Sequence, residues 1–240
     1  MEEKELERVY DKVSKDYLFS RTAGRGTSGF QNREIEQPMM FKLVPGDLSN
    51  KSLLDIGCGP GIHIKEYVSR GAKCTGIDLS SEMIKLAKDY CPHANFEVGN
   101  IYSLGFDGES FDIVTSSFVL DHVRELSKAV NGIKRVLKSQ GLFIFSIPHP
   151  ITYMFRDSKR SVFTPSNSYF DNGVVYYNIA KSGLKFPAFP RILQEYFQEF
   201  LKEGFTLVDF VENIPKEEWA SIDEMSMKIP YLAFFVWKKF

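Results

Sequence analysis

The sequence predicts an α/β domain, doubly wound, with a mostly parallel sheet and helices on both faces. Three observations carry that prediction. Leu53-Leu54-Asp55-Ile56 is an apolar run into the alternating glycines Gly57, Gly59 and Gly61, and Ile64, Tyr67 and Val68 then recur at helical spacing, which reads as strand, tight turn and helix. From Leu53 onward, strand-like and helix-like segments alternate. Leu142 to Ile147 is continuously apolar, as a central strand covered on both faces should be.

In chain order, Leu6, Val9, Tyr10, Val13 and Tyr17 fall on one helical face, so residues 2–18 form an amphipathic helix that must lie on something. Residues 20–32 are polar and glycine-rich and read as a mobile loop, either a linker or a lid, with Tyr17, Arg21, Arg25 and Phe30 in or beside it. A short helix over 33–44, kinked at Pro38, precedes the Pro45-Gly46 turn. Lys73–Asp78 is a second strand, and Ser80 or Ser81 caps a helix to Tyr90. Asn95–Val98 and Phe111–Ser116 are the next strands, and a helix from about Arg124 to Lys138 ends at Gly141. After Pro148 the alternation breaks into a proline- and aromatic-rich stretch with a hairpin expected at Asp171-Asn172-Gly173. A helix over 191–203 closes at Gly204, and Phe205–Val211 with Tyr231–Lys239 makes a closing pair of strands. The division of this one domain is therefore 1–50, N-terminal helices and lid loop; 51–147, cofactor core; 148–204, cap and helix; 205–240, closing hairpin.

Composition narrows the function. Hydrophobic residues at 43% and charged residues at 25% suit a globular protein of 240 residues. The formal net charge of −1 supplies no basic field for nucleic acid. Three cysteines without Cys-x-x-Cys spacing indicate neither a disulfide framework nor a metal site. The charged start and the lack of a long apolar run predict a cytoplasmic protein with no membrane partner.

The glycine loop reads G-x-G-x-G, one residue tighter than the dinucleotide fingerprint, and Asp55 closes the strand beneath it. A carboxylate there disfavours phosphates and suits a ligand with positive charge, and S-adenosylmethionine has an ammonium, a sulfonium and no phosphate. Asp78 ends the second strand 21 residues after Gly57, a spacing that puts a carboxylate beside a ribose, although Asp-Leu-Ser-Ser-Glu also starts a helix. Met83 can pack on an adenine or fill the core. Asn100 follows the third strand, where its amide oxygen can accept from an adenine amino group or simply make a turn. Ser117 and His122 follow the fourth strand on the ligand-facing edge.

Together, Leu53–Gly61, Ile77-Asp78-Leu79-Ser80, Gly99-Asn100, the run from Phe111 to Val123 and Val136–Phe143 resemble the class I S-adenosylmethionine-dependent methyltransferases. The resemblance implies a Rossmann-like seven-stranded sheet with an antiparallel last strand. It assigns Gly57 and Gly59 to the methionine part, Asp78 to the ribose and Asn100-Ile101 to the adenine; many relatives have Asp where Asn100 stands. Looser echoes, such as Glu36-Gln-Pro38 and Ser146 to Ile151, resemble small-molecule methyltransferases. The candidate cofactor set is Tyr17, Asp55, Gly57, Cys58, Gly59, Asp78, Leu79, Met83, Asn100, Ile101, Ser117 and His122, with no metal ligand.

Methyl transfer by in-line displacement needs alignment, exclusion of water and sometimes a base. His149, leaving the fifth strand, is the candidate base, or else part of a rigid Pro-His-Pro turn. The aromatic stretch, with Tyr153, Phe155, Phe163, Tyr169, Phe170, Tyr176, Tyr177, Phe186 and Phe189, reads as a cap over an apolar or flat acceptor, as core filling, or as a homodimer contact. Two rival functions stand beside methyl transfer: an NAD(P)-dependent oxidoreductase, and a catalytically silent adenosyl-binding regulator.

Overall fold

The computed structural model describes residues 2–23, 27–155, 168–171, 173–178, 185–217 and 227–240. Helix α1 (Glu2–Thr22) comes first, followed by a short helical turn α2 (Thr27–Phe30), a π-helical turn Gln31–Glu36 and α3 (Gln37–Leu43). The alternating core is β1 (Ser52–Ile56), α4 (Ile62–Ser69), β2 (Lys73–Asp78), α5 (Ser81–Tyr90), β3 (Asn95–Val98), β4 (Phe111–Ser117), α6 (Leu126–Val136) and β5 (Leu137–Pro148). A small antiparallel pair, β6 (Val175–Asn178) and β7 (Lys185–Ala188), precedes α7 (Leu193–Lys202), β8 (Phe205–Glu212) and β9 (Leu232–Lys239).

The seven-stranded sheet runs β3-β2-β1-β4-β5-β9-β8. Strands β1 to β5 run parallel to one another, while β9 runs antiparallel to both β5 and β8. One apolar cluster joins α6, α7 and one face of the sheet, with Phe145 stacked 4.6 Å from Phe235 and Phe200 5.1 Å from Trp237. A second, containing Ile64, Tyr67 and Met40, lies under α3, α4 and α5. Much of the aromatic content therefore builds the core around the closing hairpin. Among the described residues, no helix is long and apolar enough to cross a membrane.

Three local expectations need correction. Residues 20–32 are not a loop where described: α1 continues to Thr22, and Phe30 and Gln31 are buried. Polar bonds do what apolar residues do elsewhere, since buried Arg21 donates to Asn32 Oδ1 at 2.6 Å and ties the two segments together. Arg25 lies outside the described residues. The helix expected to reach Lys138 stops at Val136, because Leu137 turns extended and pairs with Phe111 at the start of β5. The hairpin partner of residues 175–178 is β7, not Tyr169-Phe170, which lies in a turn closed by Ser168 N to Asp171 Oδ2 at 2.8 Å. Asn172 and Phe163 lie outside the described residues. Pro38 falls in the first turn of α3, directly after the π-helical turn Gln31–Glu36.

Candidate active site

The chain leaves β1 toward β2 and β3 and returns on the other side with β4 and β5, so the strand order reverses between β1 and β4. At such a switch point a crevice opens beyond the carboxyl ends of the strands. A cavity of about 90 Å³ lies there.

The loop after β1 forms one wall. Gly57, Gly59 and Gly61 have φ of +70°, +51° and +80°, a region that only glycine enters without strain. A Cβ on Gly57 would sit 2.2 Å from Val119 Cγ2, so the loop and the segment after β4 close on each other over bare backbone. Gly57 N and Cys58 N both donate to Ile77 O, at 2.8 and 2.9 Å, pinning the loop to β2.

Asp78 is held by the same logic. Its Oδ2 accepts from Gly59 N and its Oδ1 from Ser80 N, each at 2.9 Å. Ser80 caps α5 by accepting from Met83 N at 3.1 Å. Burial pushes the Asp78 carboxyl up to about 6, against the backbone N–H groups of Ser80 and Gly59 that favour its charge.

The cavity gathers Tyr17, Gly57, Gly59, Asp78, Leu79, Met83, Ile101, Ser117 and His122 from the sequence-predicted set. His122 Nδ1 donates to Pro187 O at 2.8 Å, which joins the cavity wall to β7. Four predicted residues stand apart from it. Asp55 points into the sheet, where its Oδ1 accepts from Thr115 Oγ1 at 2.7 Å, and burial pushes its carboxyl up to about 6. Cys58 is buried beneath the loop, its thiol facing Gly59 O at 3.5 Å. Asn100 spends its oxygen on Tyr102 N at 2.9 Å and its amide nitrogen on Glu3 Oε2 at 2.8 Å. His149 lies beyond the end of β5, with Nδ1 accepting from Ile151 N at 3.1 Å and Nε2 2.8 Å from Glu212 Oε1 on β8. Burial lowers the His149 imidazole, against the pull of Glu212.

Sequence reasoning missed Leu6 and Tyr10 of α1, and Phe118 and Val119 after β4, all of which line the cavity. The apolar face of α1 was the available signal, since Leu6, Tyr10 and Tyr17 share it. What that face lies on is the cleft itself. Asp11 docks the helix by accepting from Ser80 Oγ at 2.6 Å. Phe118, at φ +56°, gave no such signal.

Behind the Tyr17 end of the cavity sits a buried polar cluster. Glu36, fully buried, accepts from Ser146 Oγ at 3.0 Å and lies 3.1 Å from His63 Nε2. Burial acts to raise Glu36, but the charges of His63 and Arg21 outweigh it and bring the carboxyl down to about 2. Burial also opposes the charge on His63, yet Glu36 raises it above the ordinary histidine range.

The arrangement offers a carboxylate to a diol, bare backbone at the loop, and apolar walls from Leu79, Met83 and Ile101 for a flat heterocycle. Among the described residues, no group of three or more His, Cys, Asp or Glu is placed to hold a metal ion.

Residues 54–145 match the methyltransferase domain family. A protein of Haemophilus influenzae is 35% identical over 161 residues, covering 63% of this chain and 62% of its own length. A ubiquinone biosynthesis O-methyltransferase of Nitrosomonas europaea is 32% identical over 119 residues, 47% of this chain and 51% of that enzyme. The chain thus spans about half to three-fifths of the length of these curated relatives. Among solved structures, a proposed S-adenosylmethionine-dependent methyltransferase of Listeria monocytogenes superposes with a TM-score of 0.74 at 27% identity, over 85% of this chain and 96% of that one.

Proposed function

We propose that this chain, whose residues 54–145 match the methyltransferase domain family, is a class I S-adenosylmethionine-dependent methyltransferase that transfers a methyl group from S-adenosylmethionine to a small organic acceptor. The observation that carries this reading is the Asp78 carboxylate, fixed by Gly59 N and Ser80 N at the mouth of a positive-φ glycine loop. A ribose diol can donate to such a carboxylate, and the glycine spacing, one residue tighter than the dinucleotide fingerprint, favours the sulfonium donor over a dinucleotide.

The bound donor supplies a methyl group on a positively charged sulfur, and the protein supplies the geometry. Asp78 accepts from the ribose hydroxyls. Leu79, Met83 and Ile101 enclose the adenine in an apolar slot. Gly57 and Gly59 let the methionine arm approach the backbone. Tyr10, Phe118, Val119 and His122 complete the wall and exclude water from the transfer. The N. europaea relative's name points to an oxygen acceptor, and the aromatic side of the cavity, where His122 lies 4.9 Å from Phe186, suits a flat one.

The test is transfer of labelled methyl from S-adenosylmethionine to a panel of phenols, carboxylic acids and amines. Labelled product with at least one small acceptor is expected. Tight donor binding with no transfer across the panel would favour the silent regulator instead.

A further inference from the structure

We infer that His122 is the general base of the transfer, its Nε2 taking the proton of a neutral hydroxyl acceptor; the assignment rests on the methyl-transfer reading above and narrows its acceptor.

Of the four histidines in the chain, His122 alone lines the cavity. It ends the 3-10 turn Leu120–His122 that follows β4. Its Nδ1 lies 2.8 Å from Pro187 O on β7, and a carbonyl oxygen can only accept, so Nδ1 carries the proton. In the neutral ring Nε2 then holds a lone pair and is the accepting nitrogen. Asp121 Oδ2 is 3.8 Å from Nε2. That is too far for a hydrogen bond that would draw the proton to Nε2 in the resting ring, and near enough to attract an imidazolium once one forms. The other histidines are arranged differently. His63 Nε2 faces Glu36 at 3.1 Å, His149 Nδ1 accepts from Ile151 N, and His93 is exposed.

The seat of the imidazole is fixed from three sides. Asp121 is 2% exposed, accepts from Tyr153 Oη at 3.2 Å, and receives Phe189 N on its backbone oxygen at 2.7 Å. Arg191 donates to Val123 O at 2.5 Å, to Arg124 O at 2.6 Å and to Phe189 O at 3.2 Å, fastening the segment after β4 to the end of β7. The ring itself packs edge-on against Phe186 at 4.9 Å and Tyr10 at 6.5 Å. A base held this way keeps its orientation through the reaction.

The step balances with one proton and one methyl group. The acceptor O–H bond breaks, its proton passes to the lone pair of Nε2, and its electron pair stays on oxygen. That oxygen forms the new bond to the methyl carbon, while the carbon–sulfur pair goes to sulfur and leaves a neutral thioether. The positive charge that began on the sulfonium thus ends on the imidazolium beside Asp121. Water takes the proton once the products leave.

The experiment has two arms, both on the full chain. Two-bond proton–nitrogen correlation spectra at pH 8 report the tautomer of each imidazole. One ring of the Nδ1–H form is expected, and it should be missing from His122→Asn, whose amide still donates to Pro187 O but has no Nε2. Absence of an Nδ1–H ring from the wild type overturns the base, and decides alone if the variant does not fold. The second arm follows labelled methyl transfer to catechol, protonated at pH 8, and to 4-nitrophenol, largely ionised there. His122→Asn should slow kcat at least about 100-fold with catechol and less than about fivefold with 4-nitrophenol, with donor Kd within about threefold. Equal slowing with both phenols reduces His122 to a wall residue and overturns the base. Transfer confined to carboxylic acids or amines overturns the acceptor class, and donor binding without any transfer overturns the reading on which the base rests.

Discussion

Acidification should weaken donor binding through one carboxylate. Asp78 titrates at about 6 in the folded chain, and its ionised form is the one that accepts from ribose hydroxyls. At pH 7 such a group is ionised in about nine molecules of ten, and at pH 5 in about one of ten. Donor affinity should therefore fall about tenfold between pH 7 and pH 5, equivalent to ~1.4 kcal/mol. Asp78→Asn exchanges one acceptor oxygen for an NH₂ group, which at either position would face a backbone N–H now bonded at 2.9 Å. That variant should bind the donor at least about tenfold more weakly at pH 7, by the loss of one charge-assisted bond of about 1.5–3 kcal/mol. It should also lose the pH dependence. Asp55 titrates in the same range but lies off the cavity, so Asp55→Asn should keep the slope. The assay is calorimetry at constant ionic strength. Equal wild-type affinity at pH 7 and pH 5, or an unchanged slope in Asp78→Asn, refutes the ribose role.

Glu36→Gln removes the anion that faces both His63 and Arg21, and should lower unfolding stability by about 3–5 kcal/mol in urea titration; a loss below 1 kcal/mol would mean the cluster contributes little. The folded Asp55 carboxyl is raised from 3.8 to about 6, so its contribution to stability is full below pH 3.8 and is lost as pH rises through 6. Asp55→Asn should accordingly be more stable than wild type at pH 8, by up to about 3 kcal/mol, with the gap closing toward pH 4 in thermal melts. His149→Ala should leave donor affinity within about twofold, since the imidazole is bonded to Ile151 N and Glu212 outside the cavity. Turnover then decides its sequence-based assignment: slower transfer with intact binding supports a base, and equal rates remove it.

The sheet and its crossing helices were legible because buried parallel strands write themselves as continuous apolar runs, as in Phe143–Ile147, and because Ser80 announces α5. The turn at Gly57 and Gly59 was legible because a backbone that must take positive φ admits few residues, and the end of β2 at Asp78 because Ser80 starts the next helix. Other features depend on what arrives from far along the chain. Asp55 stands off the cavity because its strand partner is Thr115, sixty residues on, which claims the carboxylate for the sheet. Asn100 stands off the cavity because its side chain is bonded to Tyr102 N and to Glu3, which reaches it from α1. The polar run at 20–32 gave no apolar period to read, since Arg21 and Asn32 bind it through hydrogen bonds instead. His149 is drawn toward the closing hairpin, with its N–H donating to Tyr231 O at 2.8 Å, a pairing no local spacing reveals.

The most direct measurement is competitive calorimetry of the chain against S-adenosylmethionine and NADH. A cleft built from the Gly57–Gly61 turn and the Asp78 carboxylate should take up the sulfonium donor with saturable, one-to-one heat and give none with the dinucleotide. Saturable NADH binding with no heat from S-adenosylmethionine would contradict the assignment of that cleft.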